Sequence, residues 1–592
     1  MSLMKLFLER SHSITMIFST FFIYSCASTH EFKASETPVR TEGSNCQLPQ
    51  KPYEWSKTTP PRLIWLSLDS LNLAGLQEIV PLLQNPHPKG LKWILEAKNQ
   101  NQRLTIEEPT ITASSHISTM TCSTAGIHGV FANSQWTGKG TSSGFSMPFG
   151  IETFATALKN SGLKVVSGAY PALDNSEPGR SVDEGFAYGT SVGRGQIFEL
   201  KKGTDIIHTW KDAHGQVIET LKIKDGEGQA PDKFSCDKNF CQVQKSVVPE
   251  MLDITFSSEK QIFRSYAQFI PGKINQLFIS PLSLNNSFPK VVKAKQESCG
   301  LIFSPGKENS LSQFGATPLI RGLQHRLAFF DTNWERYLPS TEADVIFLYL
   351  EDIDSLRHQF AGDHGAKSAA ALHYERVDQV VGKLFASLPE SVNVIVLGDH
   401  GMSTIKKELN IRKIIPEEIL RRSNLITSGG TLLLYSSESQ SLDPSAMPSK
   451  TEMDWLNETK TTLLQFKTKP WGEKIFNKVF IKGTEEMSKA GLAHKNAPFL
   501  IAFTNDDFSL QNSMSDEFIL ADRDNEKLPP PRPRGQHGHA KESSRMKSFL
   551  AGWGPIVDKI KLNTIHSNID LVPTLGKAFA WPIPSQCRSI MP

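Results

Sequence analysis

The sequence lacks an apolar stretch long enough at its start to cross a bilayer. Ile14 to Tyr24 is apolar, but a spanning helix needs ~20 such residues. It also lacks a dominant charge. Its 64 Lys and Arg against 61 Asp and Glu leave a formal net charge of +3, which gives no basis for a nucleic-acid surface and reads as a mixed solvated exterior. Cysteine is scarce, seven in 592 residues, and the spacing excludes the paired arrangement of a structural zinc site. No internal repeat is present, which excludes a solenoid. Aromatics at 9% and charged residues at 21% are ordinary for a globular protein. The length exceeds what one simple core supports, so it implies either two to four domains or one large domain with insertions.

What is present begins with addressing information. Lys5 and Arg10 precede the apolar run, and Ile23-Tyr24-Ser25-Cys26 closes it. This is the pattern of a secretory signal peptide over residues 1–26, to be set aside from fold reasoning. Its end resembles a bacterial lipobox, in which the cysteine is lipidated and becomes the mature N-terminus. Lipid on Cys26 would anchor the chain to a membrane; plain secretion or periplasmic release is the alternative. Residues 27–60, rich in Ser, Thr, Glu, Lys and Pro, read as a flexible tether. With Cys26 set aside, the remaining six cysteines permit disulfides in an exported protein. Cys236 with Cys241 is the natural local pair, Cys46 with Cys587 would tie the chain ends, and Cys122 reads as a buried free thiol. Cys299 has no evident partner.

Residues 61–592 alternate strand and helix signals. Arg62–Leu68 (RLIWLSL), Lys164–Ser167, Val345–Leu350 (VIFLYL) and Val392–Leu397 (VNVIVL) are almost wholly apolar, as strands buried on both faces are. Helical patterns lie between them, among them Ser368–Leu388. The alternation predicts an α/β fold with a mostly parallel sheet sandwiched by helices, and a site at the carboxyl ends of its strands. Two stretches break the alternation, about 190–325 and 425–530. Both mix short β-like segments with Gly, Pro and polar loops and are expected to be inserted cap regions.

Ligand-type side chains sit just past the strands. Asp69 follows the first. Thr112 lies in PTITASSH, Asp354 and His358 in YLEDIDSLRH, Asp399 and His400 in GDHGM, and His537 in RGQHGH. Singly, an Asp at a strand end is a turn former or helix cap and a lone His is a structural residue. Together, carboxylates and imidazoles gathered at parallel strand ends are donors that Zn²⁺ accepts.

The ordered set resembles the type I phosphodiesterase and nucleotide pyrophosphatase branch of the alkaline phosphatase superfamily. The matching elements are Asp69, Thr112 with His116 four residues on, Asn133 in HGVFAN, Asp354 with His358, Asp399-His400-Gly401 and His537-Gly538. The likeness spans residues 62 to about 540, and Ile569–Leu575 looks like the family's last helix. The resemblance implies an alkaline-phosphatase-like fold and two Zn²⁺ ions. One would be held by Asp354, His358 and His537, the other by Asp69, Asp399, His400 and the Thr112 oxygen. Thr112 would be the nucleophile, activated by a metal that lowers its pKa. It opens a segment that can form a helix, whose N-terminal amides would face phosphate. Asn133 would donate to a phosphoryl oxygen. His116, Asp352, His364 and His539 stand close to these motifs without a role; His539 is the alternative to His537.

The resemblance implies a phosphate-ester substrate, and its class is less fully specified. Nucleotide-specific members place Phe after the nucleophile, where Ala113 stands. Tyr349 matches an aromatic position used for stacking, with core packing as its other reading. The Lys and Arg pair of the related Thr-dependent phosphomonoesterases is missing from Ser167–Asn175 (SGAYPALDN). This favours diesters over monoesters; a non-catalytic envelope lipoprotein is the remaining alternative. Palmitate labelling followed by mass spectrometry is expected to find lipid on Cys26, and an unmodified N-terminus generated elsewhere would remove the lipoprotein reading.

Overall fold

The structure, a computed structural model, describes residues 59–589, with short gaps and with Leu327 alone described between 286 and 341. The expected signal peptide, tether and Cys26, Cys46 and Cys299 lie outside the described residues, as do the side chains of Cys236 and Cys241. Among the described residues no helix is long and apolar enough to cross a membrane.

A seven-stranded sheet forms the centre. Its strands are β1 (Leu63–Leu68), β2 (Gln100–Leu104), β3 (Val165–Gly168), β4 (Glu184–Phe186), β5 (Val345–Leu350), β6 (Asn393–Leu397) and β7 (Ser548–Trp553), in the order β2-β7-β6-β1-β5-β3-β4. The five strands from β6 to β4 are parallel, and β7 runs antiparallel to both β6 and β2. The four strands expected from sequence are therefore all present and adjacent.

Each central strand is buried on both faces because its alternate residues enter different cores. Ile64, Leu66 and Leu68 of β1 join Ile346, Leu348 and Leu350 of β5 and Val394 and Val396 of β6 in one cluster. That cluster packs under a helix at Leu73–Ile79 and under α3 (Lys367–Ser387), through Val377, Val381 and Leu384. The intervening residues Leu63, Trp65, Val345, Phe347 and Ile395 face a second cluster with Met120 of α1 (Thr112–Thr121) and Leu571, Val572 and Leu575 of α4 (Leu571–Phe579). The remaining helix needed below is α2 (Asp352–Phe360), directly after β5.

Between β4 and β5 the chain forms antiparallel strands in two further sheets. One holds Ile206–Lys211, Val217–Gly226 and Gln229–Cys236; the other runs from Phe240–Lys245 through Met251–Ser257, Ile262–Ile270 and Lys273–Ile279 to Gln196–Glu199. After β6, Ser423–Ser428, Thr431–Ser436, Leu500–Thr504 and Phe476–Ile481 make a four-stranded antiparallel sheet covered by a helix at Lys450–Gln465. That helix was not expected, although its start is legible. Ser449 accepts from the Glu452 amide and the Glu452 carboxylate accepts from the Ser449 amide, the reciprocal cap of an S-x-x-E sequence.

The cysteines correct the sequence reading. Cys122 is bonded to Cys587 across 465 positions, so Cys122 is not a free thiol and Cys587 does not pair with Cys46. Cys122 is the left-handed C-cap of α1, and its backbone N–H donates to Ser118 O. The bond thus fastens the far end of the Thr112 helix to the chain terminus. Peptide mapping without reductant is expected to recover Cys122 and Cys587 joined. Cys587→Ser should lower stability by about 2–4 kcal/mol, read as a lower Tm; an unchanged Tm would deny the bond a structural role.

Candidate metal centre and nucleophile

Strand register assembles the site. In the pairing of β1 with its neighbours, Leu68 lies opposite Leu350 and Ser67 opposite Leu397. The three strands therefore end level, and the residues just past them, Asp69, Asp354 in the first turn of α2, and Asp399, converge. The Asp69 amide caps β5 by donating to Leu350 O at 2.8 Å. All three carboxylates are buried.

Two groups of donor atoms result, each within 4.8 Å: Asp69, Asp399 and His400, and Asp354, His400 and His537. His400 belongs to both. Its Nε2 lies 3.2 Å from Asp399, 3.5 Å from Asp69 and 3.1 Å from Thr112 Oγ1, and its ring stacks on His537 at 3.9 Å between centroids. His358 Nε2 is 3.2 Å from Asp354 Oδ1, and His537 Nε2 is 3.8 Å from the same oxygen. The structure thus brings Asp69, Thr112, Asp354, His358, Asp399, His400 and His537 together, with His400 within reach of both groups.

Each imidazole is oriented by a backbone carbonyl. His400 Nδ1 bonds Gly401 O at 3.0 Å, His358 Nδ1 bonds Gly535 O at 2.7 Å, and His537 Nδ1 bonds Thr110 O at 3.3 Å. A carbonyl only accepts, so Nδ1 carries the proton and Nε2 keeps its lone pair toward the carboxylates, the arrangement a metal-binding histidine needs. The carboxylates fit the same reading. Asp69 Oδ1 and Asp399 Oδ2 are buried with no hydrogen-bond partner among the described residues, an expensive state for an anionic oxygen unless a cation faces it. Burial, then the Asp399 and Asp354 charges, hold Asp69 well above the usual carboxylate range. Burial, reinforced by His400, pulls His537 well below the usual imidazole value, against the opposing pull of Asp354. Both directions are those that crowding carboxylates and imidazoles together out of water produces, and a divalent cation among them would relieve both.

The glycines beside the ligands have steric reasons. A Cβ on Gly401 would stand 1.9 Å from Arg545 O. Gly538 has φ +81°, and a Cβ there would meet Ser428 O at 2.6 Å.

Thr112 is the first residue of α1, where backbone N–H groups have no intrahelical acceptor. The helix is buried all round although it is rich in Ser and Thr. Thr119 and Thr121 satisfy their hydroxyls on the carbonyls of Ser115 and Ile117, at 2.8 and 2.7 Å. Asn133 Oδ1 accepts from the Ala113 amide at 2.9 Å, which fixes the side chain and leaves its NH₂ end to donate.

His116 was left without a role by sequence. It is buried one turn below Thr112, with Nδ1 2.8 Å from Thr112 O and 3.4 Å from Asp399, and with Nε2 2.9 Å from Ser67 Oγ. It ties the nucleophile helix to β1 and to a ligand carboxylate. The i, i+4 spacing was the available signal. His539 bonds Thr504 Oγ1 at 3.1 Å, and neither donor group includes it. Asp352 pairs with His373 at 2.8 Å in full burial. His364 lies outside the described residues. Tyr349 is corrected. It is completely buried in the second core, edge-on to His116, and its hydroxyl donates to Asp69 Oδ2, so it braces a ligand and offers no face to a base.

A doubly grouped carboxylate and imidazole site at the ends of a mostly parallel α/β sheet is a candidate metal centre of the kind a phosphoric-ester hydrolase uses. The sequence profile of the type I phosphodiesterase / nucleotide pyrophosphatase family matches residues 63–539, and the chain belongs to that family. No curated protein matches it. Solved structures similar to it include murine ectonucleotide pyrophosphatase / phosphodiesterase 5, at 13% identity and TM-score 0.47, covering 88% of this chain and 96% of that one. The human counterpart is similar at 13% identity and TM-score 0.46, with the same coverage. An inactive form of the murine protein in complex with AMP is similar at 12% and 0.47, again with 88% and 96% covered.

Chelation is expected to lower the Tm and added zinc to restore it, since an ion bound only by the folded state stabilises that state. A Tm indifferent to both treatments would count against the metal reading.

Proposed function

We propose that the protein is an exported two-zinc phosphodiesterase working through a phosphothreonine on Thr112. The observation that carries this is the Thr112 hydroxyl at the start of a buried helix, 3.1 Å from the His400 nitrogen that both donor groups share. Asp354, His358 and His537 would hold one ion, and Asp69, Asp399 and His400 the other beside the Thr112 oxygen. Bound there, the ions supply neutralising charge and the lowered pKa that a threonine hydroxyl needs at neutral pH.

Thr112 Oγ attacks phosphorus, and the bond from phosphorus to the leaving alcohol breaks. Water then attacks the phosphothreonine, the bond to Thr112 breaks, and the hydroxyl re-forms. Two in-line displacements give net retention at phosphorus. The Asn133 NH₂ group, fixed by the bond its Oδ1 accepts from the Ala113 amide, would donate to an oxygen on which charge develops. His116 and Tyr349 keep the nucleophile helix and Asp69 in place.

A diester fits the available charge. The stretch at 167–175 has no Lys or Arg. Two buried guanidinium groups in neighbouring elements are committed to backbone oxygens: Arg180 to Phe145 O and Met147 O, Arg357 to Ser70 O and Met402 O. A monoester dianion would need a further cation. With Ala113 buried and Tyr349 in the core, neither of these two positions supplies a stacking face, so the reading extends to phosphodiesters without a nucleotide requirement. Export is supported by the N-terminal signal pattern and by the Cys122–Cys587 bond, which persists in oxidising compartments.

Thr112→Ala is expected to cut turnover of bis-p-nitrophenyl phosphate by about 10³-fold or more while zinc content is kept. Normal turnover in that variant would remove the nucleophile assignment. In a panel of esters, the kcat/KM for diesters should exceed that for p-nitrophenyl phosphate; the reverse order would make the protein a monoesterase.

A further inference from the structure

We propose that Arg357 is a positioning residue that holds the two halves of the metal centre at their working separation, an inference that rests on the two-metal reading above. Arg357 lies in α2, immediately before His358 and three residues after Asp354. It is buried. Its Nη1 donates to Ser70 O and to Asn72 Oδ1, each at 3.1 Å, and its Nη2 donates to Met402 O at 3.5 Å. Ser70 follows Asp69, and Met402 lies two residues after His400. One side chain therefore joins the three segments that carry Asp69, the pair Asp354 and His358, and the pair Asp399 and His400.

The surroundings are shaped around the guanidinium. A Cβ on Gly75 would stand 2.9 Å from Nη1, so the neighbouring helix carries no side chain there. Asn72 serves two purposes: its Oδ1 accepts from Arg357 and also caps that helix by accepting from the Gly75 amide at 2.7 Å. Its Nδ2 donates to Arg545 O at 3.1 Å, which extends the brace toward β7. All three Arg357 bonds go to neutral oxygens. A buried cation with such partners is costly, and a residue serving only packing could be apolar. A fork is what the position requires, because its separated donors reach two loops at once. A lysine ammonium presents its donors from a single point.

The test uses the full chain stripped of metal and titrated with Zn²⁺ against a metallochromic chelator, alongside steady-state hydrolysis of bis-p-nitrophenyl phosphate at saturating zinc. Arg357→Lys keeps the charge and loses the fork; Arg357→Met keeps the bulk and loses both. Each is expected to weaken zinc binding by about 10–100-fold, the usual effect of removing a group that orients metal ligands, and to lower kcat with KM unchanged. Asn72→Ser retains an oxygen for the Gly75 amide while withdrawing the acceptor from Arg357. It should shift both readouts in the same direction by less, and it stands as the test if the Arg357 variants do not fold. Zinc affinity and kcat equal to wild type in Arg357→Lys, or a lower Tm as the sole effect of Arg357→Met, would overturn the proposal. Wild-type protein that takes up no zinc would remove the metal reading itself, and this inference with it.

Discussion

Three carboxylates brought together out of water repel one another, and most of the site can be understood as what is needed to keep Asp69, Asp354 and Asp399 where they are. The gathering is enforced by backbone register. β1 lies between β5 and β6, the three end level, and the sheet is too well packed on both faces for any of them to slide. A one-residue slip would exchange the two cores along the whole strand. The negative charge is therefore a consequence of the fold, and a cation is the simplest way to relieve it.

The remaining side chains follow from that constraint. His358, His400 and His537 each commit Nδ1 to a backbone carbonyl, which holds Nε2 turned toward the carboxylates. Tyr349 spends its hydroxyl on Asp69, and His116 bridges the nucleophile helix to Asp399. Thr112 is placed by the helix it begins, in which Thr119 and Thr121 return their hydroxyls to backbone carbonyls one turn back. Thr112 and the candidate metal donors are held by different elements that share a small set of polar contacts.

Much of this was legible in the chain. The continuous apolar runs at residues 62–68, 345–350 and 392–397 could only be strands covered on both sides, and Asp or His directly after such runs marks the rim where sites form. The motif order pointed to the same residues that the structure brings together. What stayed hidden depended on contacts between distant positions. Tyr349 looked like a stacking residue because its position on β5 is compatible with either face; only the strand's pairing shows it turned toward α1. Cys122 has no local signal for Cys587, since a pairing across 465 positions leaves no mark on either neighbourhood. His400 could not be seen to serve both donor groups, because sharing is a matter of angle. Two omissions had a readable sign: the helix at 450–465 in its Ser449 to Glu452 cap, and His116 in its spacing from Thr112.

The Cys122–Cys587 bond has a consequence for how the molecule responds to cleavage. One cysteine precedes residues 190–325 and 425–530, and the other follows both. A protease that nicks the backbone in either stretch therefore produces two fragments that remain covalently joined. The amino-terminal fragment would still carry Thr112 and Asp69, and the bond would keep it tethered to the fragment carrying His537. Such a nicked protein would run as separate bands only after reduction, and until then Asp69, Thr112 and His537 would remain parts of one molecule.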